Sequence, residues 1–349
     1  MYLLSKPESK FWTDLSKLAL EDVAFATVLS NKVNLNLLPA LYFFLGTLLA
    51  SEGKIHQAKK MLSKGRKENL PCNTVSLDFM ERYGNLKILK PKYDALKLFN
   101  LKSSIPEVKI AEEKFVSYAY RCLPSFSKPL KVLNIGCGDG RLLIEFLKHL
   151  LRVRKVHKVQ ELLLVDPSSQ MLKVASENIS KVFEDVEIKT INKKLQDINT
   201  EITSVYDIAF CPSSLHHLPY DEKIKQLKKL QNNVNNFLLF EDMANFDISN
   251  SRSPELALAV YLLYGQKIKC FFAQKPDEEL RRGYIDHTII PEIITLLTKT
   301  QDHKIKHHLL RHQWHEVFNK SLDQSFSCLC DSVCYADKFI ESGFISYGR

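Results

Sequence analysis

KVLNIGCGDGRLLIEFLKHL, residues 131–150, decides the fold. Lys131–Ile135 has the length and apolarity of a buried strand. Gly136–Gly140 carries a glycine at every second place, and Arg141–Leu150 is apolar around most of its helical circumference. Glycine lets the backbone turn tightly and lets a ligand approach it closely. A dinucleotide fingerprint would read G-x-G-x-x-G, but its third glycine is replaced by Arg141 and the spacing is G-x-G-x-G. Such a loop suits a ligand without a pyrophosphate.

Working outward toward the C-terminus, ELLLV (Glu161–Val165) is a second strand, and it ends on Asp166. In doubly wound folds a carboxylate in that place accepts hydrogen bonds from both ribose hydroxyls. A helix follows over Ser168–Val182, which Ser168 or Ser169 can cap. Val186–Ile191, Tyr206–Cys211 and Asn236–Asp242 are three more strands. Near-continuous apolar runs separated by helices predict an α/β fold with a parallel sheet covered on both faces. Ligands of open α/β sheets bind at the carboxyl edge. His216 and His217 stand just past the fourth strand, at that edge, where an imidazole can take a proton near neutral pH. The pair could equally close the first turn of a helix.

Toward the N-terminus, residues 1–101 read as helices. Phe11, Leu15, Leu18 and Val23 form a loose stripe. Pro39–Leu70 fits one helix pair of the roughly 34-residue tetratricopeptide type, with Tyr42, Leu45, Gly46, Gly53, Ala58 and Leu62 in its marked places. The pattern does not recur in the next window, and a single repeat cannot bury its own face. The expectation is therefore a helical extension packed on the main domain, in preference to a peptide-binding array. Lys102–Glu107 is a linker, and Val108–Cys122 is helical again.

After the fifth strand, Met243–His303 interrupts the alternation. It holds two helical stretches, Glu255–Phe272 and Ile290–Lys299, and is too long for a simple loop. Placed there, it could act as a lid, with Tyr261, Tyr264, Phe271 and Phe272 available to line an apolar acceptor pocket or to pack the insert. A helix over Lys304–Lys320 and strands at Ser325–Cys330 and Phe344–Tyr347 complete the chain.

The chain has 349 residues, 45% hydrophobic and 26% charged, which excludes a disordered or collagen-like protein. Lys plus Arg total 49 against 40 acids, a net +9. The excess is diffuse, and its denser stretches, Lys59–Lys67 and Lys148–Lys158, fit the solvated faces of helices. Eight cysteines do not make a disulfide framework. With no signal-peptide pattern at MYLLSKPESK, the expectation is a reducing, cytoplasmic setting. Leu37–Ala50 is apolar, but a helix of that length is about 21 Å long, short of a ~30 Å hydrocarbon core, so no membrane association is expected. His308, His312 and His315 would share a face of the last helix, with His303 and His307 nearby, but no H-E-x-x-H order appears. Cys328, Cys330 and Cys334 lack the paired C-x-x-C spacing of zinc knuckles. No metal is expected.

These motifs resemble the class I S-adenosylmethionine-dependent methyltransferases over roughly Leu130–Asp242 and Lys304–Arg349. VLNIGCGDG is similar to their first motif, LLLVDPSSQML to their second, LQDI to the segment that meets the adenine amino group, and YDIAFCPSSLHHL to the fourth-strand motif. Asn134 stands where the family usually has an acid. The resemblance implies a Rossmann-like seven-stranded methyltransferase sheet with an all-α N-terminal extension (1–105). The methyltransferase domain (106–349) would carry the helical lid insert 243–303. S-adenosyl-L-methionine is the implied cofactor, held by Asn134, Gly136, Cys137, Gly138, Gly140, Asp166, Pro167, Gln196, Asp197 and Cys211. His216 and His217 are the candidate bases, and Tyr261 and Tyr264 the candidate substrate contacts. CPSS is unlike the Asn-Pro-Pro-aromatic run of the adenine-modifying branches. The expected acceptor is a small molecule. An RNA or protein acceptor, or a non-catalytic scaffold whose N-terminal helices bind a protein partner, are the other readings.

Overall fold

Helices come first along the chain: α1 (Lys6–Glu21), α2 (Val23–Ser30), α3 (Leu38–Ser51), α4 (Ile55–Lys64), α5 (Cys72–Tyr83) and α6 (Ala95–Ser103). Then α7 (Pro106–Cys122), β1 (Leu130–Ile135), α8 (Arg141–Arg152), β2 (Val159–Val165), α9 (Ser169–Ser180), β3 (Glu187–Ile191), β4 (Tyr206–Pro212), α10 (Tyr220–Leu230) and β5 (Val234–Ala244) alternate. The insert supplies α11 (Pro254–Ala273), α12 (Glu278–Tyr284) and α13 (Ile290–Leu297), and α14 (Arg311–Ser321), β6 (Ser327–Ala336) and β7 (Ile340–Gly348) close the chain. This computed structural model describes all residues except 1–3, 67–69, 90–94, 104, 199, 246–249, 299–305 and 337–339. Lys67, Lys299, His303 and Lys304 of the sequence reading therefore lie outside the described residues.

Backbone contacts divide the chain into two units, Pro106–Asn245 with Lys306–Arg349, and Met1–Ile105 with Phe246–Ile305. The first is an α/β unit. Its sheet runs β3-β2-β1-β4-β5-β7-β6, with β7 antiparallel to both β5 and β6. This is the seven-stranded Rossmann-like methyltransferase sheet. On one face α7, α8 and α9 cover it, with Phe115 at the centre of a cluster formed with Phe146, Phe210, Phe240 and Phe344. On the other face α10 and α14 bury Leu227, Trp314, Val317 and Phe318 against Leu133, Phe237 and Leu239. Because side chains alternate along a strand, Val132 faces the first layer and Leu133 the second. The strands β1, β2 and β4 thus end together at one edge, where the glycine loop begins.

The predicted helix over Lys304–Lys320 is shorter in the structure and starts at Arg311. The backbone just before it is committed elsewhere. The His307 N–H donates to the His216 carbonyl at 2.6 Å, the His307 carbonyl accepts from Lys223 Nζ at 2.8 Å, and the Leu309 carbonyl accepts from the Ala244 N–H. Groups satisfied by these distant partners are not available to a helical ladder. His308 therefore does not share a helix face with His312 and His315. Among the described residues no cluster of three or more His, Cys, Asp or Glu could hold a metal.

The second unit is helical. A capping box between Ser5 and Glu8 starts α1. The predicted hairpin is formed by α3 and α4, which turn at Gly53 with φ +74°. Gly46 lets them approach, since a Cβ there would stand 2.7 Å from the Leu62 side chain. The insert, expected as a lid on the α/β domain, contributes its helices to this unit: α11 packs on α1, α3 and α5. By length and composition α11 could cross a membrane, but most of it is buried within the protein. A π-helical turn, Ile285–Ile289, joins α12 to α13 and buries Asp286 against the Arg82 guanidinium (2.5 and 2.7 Å) and the Tyr83 hydroxyl (2.9 Å).

Candidate active site

At the carboxyl edge of β1 the chain turns through Gly136 (φ +70°), Gly138 (φ +53°) and Gly140 (φ +78°) before entering α8. L-residues carry a steric cost in that region of backbone space, so the three glycines allow a conformation that other residues adopt only under strain. Space reinforces the requirement at two of them. A Cβ on Gly136 would lie 2.5 Å from Ser214 Cβ, and one on Gly140 would lie 3.3 Å from Ala175.

Two side chains frame this loop. Asp166, at the end of β2, is almost buried and accepts hydrogen bonds from the Gly138 N–H at 3.3 Å and the Ser168 N–H at 2.8 Å. Burial pushes its carboxyl above the usual range, and those two donors pull it back. Each carboxylate oxygen still has a second lone pair for a hydroxyl. Asn134, inside β1 between Leu164 and Phe210, is buried, and both its amide oxygen and its amide nitrogen lack a hydrogen-bond partner. A buried unsatisfied amide costs on the order of 1–3 kcal/mol, so a site for a polar ligand is the physical explanation. Glycine cradle, ribose-type carboxylate and orphaned amide together fit an S-adenosylmethionine molecule. Asp166 would hold its ribose, and Asn134 would meet its amino-acid end.

The remaining predicted cofactor residues divide by environment. Pro167 is exposed beside Asp166, Gln196 is half-buried, and Asp197 is exposed in the turn that follows β3. Cys137 and Cys211 are buried in the two opposite cores. Burial raises both thiols far above the usual range, so they are inert as nucleophiles. Tyr261 and Tyr264 lie in the helical unit. Both are buried along α11, Tyr261 against the Phe43 ring (5.7 Å between centroids) with its carbonyl accepting from Cys72 Sγ.

The strand β4 ends in an irregular turn. Ser213 adopts φ +46° and donates to the Phe240 carbonyl at 2.6 Å, which sets Ser214 over Gly136. Next comes a single 3-10 turn, Leu215–His217. The histidines of the sequence reading separate here: His216 is buried and His217 is exposed. His216 Nδ1 lies 2.7 Å from Glu241 Oε2, and Glu241 Oε1 accepts from the Leu215 and His216 N–H groups at 2.7 and 3.2 Å. Burial pushes the Glu241 carboxyl up to about 7, against the pull of Lys223, the two N–H donors and His308. Lys223, fully buried on α10, donates to the Leu218 and His307 carbonyls, and burial lowers it to about 8. The His308 ring stacks on His216 at 5.6 Å.

Glu241, Ser214 and Lys223 went unnoticed in the sequence reading, and His308 was weighed there only as a metal ligand. Glu241 left one signal: it is an acid inside the otherwise apolar run FLLFED. Lys223 left none, since a lysine on an amphipathic helix looks solvated until its neighbours are placed.

A methyltransferase-domain family model matches residues 133–236, from β1 into β5. No curated protein matches the sequence. Among solved structures, SCL7 of Oryza sativa superposes with a TM-score of 0.58 at 11% identity, over 82% of this chain and 93% of that one. At that identity the likeness is one of fold alone. Magnesium protoporphyrin IX methyltransferase from Synechocystis PCC 6803, solved with bound S-adenosylhomocysteine, gives 0.41 at 14% identity over 79% and 97%. The plantazolicin methyltransferase BpumL gives 0.39 at 13% identity over 86% and 99%. Residues 133–236 thus carry a methyltransferase domain.

Proposed function

We propose, taking the methyltransferase domain as premise, that the protein moves a methyl group from S-adenosylmethionine to a small-molecule acceptor at the carboxyl edge of β1 and β4. The observation that carries this reading is the orphaned Asn134 amide behind a three-glycine cradle that also presents Asp166. In-line transfer from a positively charged sulfonium is mainly a matter of alignment, which can supply ~7–11 kcal/mol of the barrier. A general base adds about 10²–10⁴-fold, and only when the acceptor arrives protonated. His216, on the turn after β4, is the candidate for that role, and the exposed His217 is not needed for it.

Calorimetry with S-adenosylhomocysteine tests the cofactor half. Tight one-to-one binding is expected, and its absence would favour the scaffold reading. Incubation of a cell extract with the protein and methyl-labelled S-adenosylmethionine tests the acceptor half. Label should enter the dialysable fraction. Label in RNA or protein instead would replace the small-molecule acceptor with those classes. The hairpin of α3 and α4 supports reading the helical unit as tetratricopeptide-like, with a protein partner as its use.

A further inference from the structure

We propose that the amino edge of the α/β unit, at the end of the sheet away from the glycine loop, is a docking surface for a single-stranded nucleic acid, with Arg121, Lys128, Arg152, Arg154 and Lys158 placed to grip its phosphates. The inference goes beyond the transfer reaction and does not depend on it.

No acid occurs between Glu113 and Asp139, nor between Glu145 and Glu161. The fold brings these two acid-free stretches together. The loop from α7 to β1 and the loop from α8 to β2 are bonded at three points. The Phe126 N–H donates to the Lys155 carbonyl (2.7 Å), the Leu130 N–H to the Lys158 carbonyl (2.8 Å), and Lys155 Nζ to the Leu123 carbonyl (2.6 Å). The helix ends meet as well, with the Tyr120 and His149 rings 4.3 Å apart. The basic run 148–158 is therefore not one solvated helix face. Lys148, His149 and Arg152 belong to the end of α8, whereas Arg154, His157 and Lys158 lie on the loop that follows. All five proposed phosphate contacts are exposed. The nearby carboxylates are engaged elsewhere: Glu145 with Lys148, Glu161 with Lys131 and Lys189, and Asp207 with the Lys131 N–H. Among the described residues Lys128, Arg154 and Lys158 have no carboxylate partner. Glu184 and Asp185, exposed just before β3, bound the patch on that side.

Arg154 is a second, independent observation. It closes α8 at φ +57°, with its N–H on the Leu151 carbonyl (3.1 Å) and the Lys155 N–H on the Leu150 carbonyl (3.0 Å). Glycine is the usual residue in that place, and a longer side chain is strained there. The Arg154 guanidinium makes no bond within the described protein that would offset the strain, and an anion outside it would. Guanidinium forks match phosphate oxygens two at a time. Planar groups stand among the cations: the half-buried Tyr120 ring lies between the His149 ring and the Arg121 guanidinium, 5.7 Å away. Such planes suit the stacking of unpaired bases. A membrane surface asks instead for long apolar side chains beside the cations, and the exposed ones at this edge, Val153 and Val182, are short. The six residues of β1 separate the patch from the glycine loop by about 20 Å. A strand docked here leaves the cofactor site open.

Fluorescence anisotropy with the full chain and a labelled oligouridylate of about 20 nucleotides tests the proposal. Affinity should fall with salt at a log–log slope of about −3 to −4, the value for five phosphates of a single strand. At about 0.1 M salt, where charges more than ~10 Å away are screened, Lys128→Glu with Lys158→Glu should weaken binding at least ~10-fold. Lys228→Glu with Lys229→Glu makes the same charge change on α10 and should stay within about twofold of wild type. Arg154→Gly should weaken binding and flatten the slope by about 0.7, while its melting temperature holds or rises because glycine relieves the strain. Saturating S-adenosylhomocysteine should leave the affinity within about twofold. Absence of binding, equal losses from the two double variants, or an Arg154→Gly variant that binds as wild type would overturn the proposal. So would tighter binding to phosphatidylglycerol vesicles or to a duplex of the same length, or competition by S-adenosylhomocysteine.

Discussion

The glycine loop after β1 and the turn after β4 meet at the Gly136–Ser214 contact, yet they treat polar groups in opposite ways. At the first, Asn134 is buried with both amide atoms unpaired. At the second, Glu241 is buried just as deeply, and both its oxygens have hydrogen-bond partners. The first region carries an energetic debt that a ligand can discharge. The second has its bonds already made and is tuned by the fold itself. Groups left unsatisfied mark where a molecule binds, and satisfied ones with displaced pKa values mark where protons are managed.

The largest effect expected from this contrast is at Asp166. Asp166→Ala removes charge-assisted hydrogen bonds worth ~1.5–3 kcal/mol each, so affinity for S-adenosylhomocysteine should fall at least tenfold by calorimetry. An unchanged affinity would remove the ligand from the glycine loop. Gly136→Ala comes next. It adds a contact with Ser214 to the left-handed strain of about 1–2 kcal/mol that Gly53→Ala, with nothing within 4 Å, incurs alone. Calorimetric scans should show the Gly136 variant melting well below the Gly53 variant, and equal melting would mean that the turn after β4 does not press on the loop.

Asn134→Val sharpens the comparison through opposite signs. Removing an unpaired buried amide should raise the melting temperature of the ligand-free protein, while weakening the binding of S-adenosylhomocysteine. A fall in both would reveal a structural partner for Asn134. The pH test concerns Glu241. Its carboxyl sits at about 7 in the folded protein and near 4.5 when unfolded, so the native state binds more protons between those values. Stability from this group is therefore full below about 4.5 and lost as pH rises through about 7. The melting-temperature difference between wild type and Glu241→Gln should move against the wild type over that range, and a flat difference would show that Glu241 stays ionised throughout. The smallest effect is at His217. His217→Ala should leave the rate of label transfer within about twofold, because the ring is exposed.

Much of this was legible along the chain. The run at 131–140 and Asp166 sit where their order implied, because strand, glycine turn and terminal carboxylate are local features. Ser168 caps α9 as its residue type predicts. Reading failed at residues 306–309, where an apparent helical run of histidines is drawn into hydrogen bonds with the His216 and Ala244 backbone, contacts far along the chain. It also assigned the insert to the methyltransferase domain as a lid, whereas α11 packs with the N-terminal helices, since apolar periodicity shows that a face is buried but not against what.

The sequence by itself thus determined the alternation of strands and helices, the cradle and its carboxylate. Each of these rests on backbone preferences and hydrophobic periods that act within a few residues. The tertiary structure alone decided which histidine is buried, that Glu241 lies behind it, that Lys223 is sealed beneath Trp314, and that α11 joins the N-terminal helices. Those facts depend on burial and on partners 25 or more residues distant along the chain. A side chain's charge, tautomer and exposure are properties of such neighbours, and only packing chooses them.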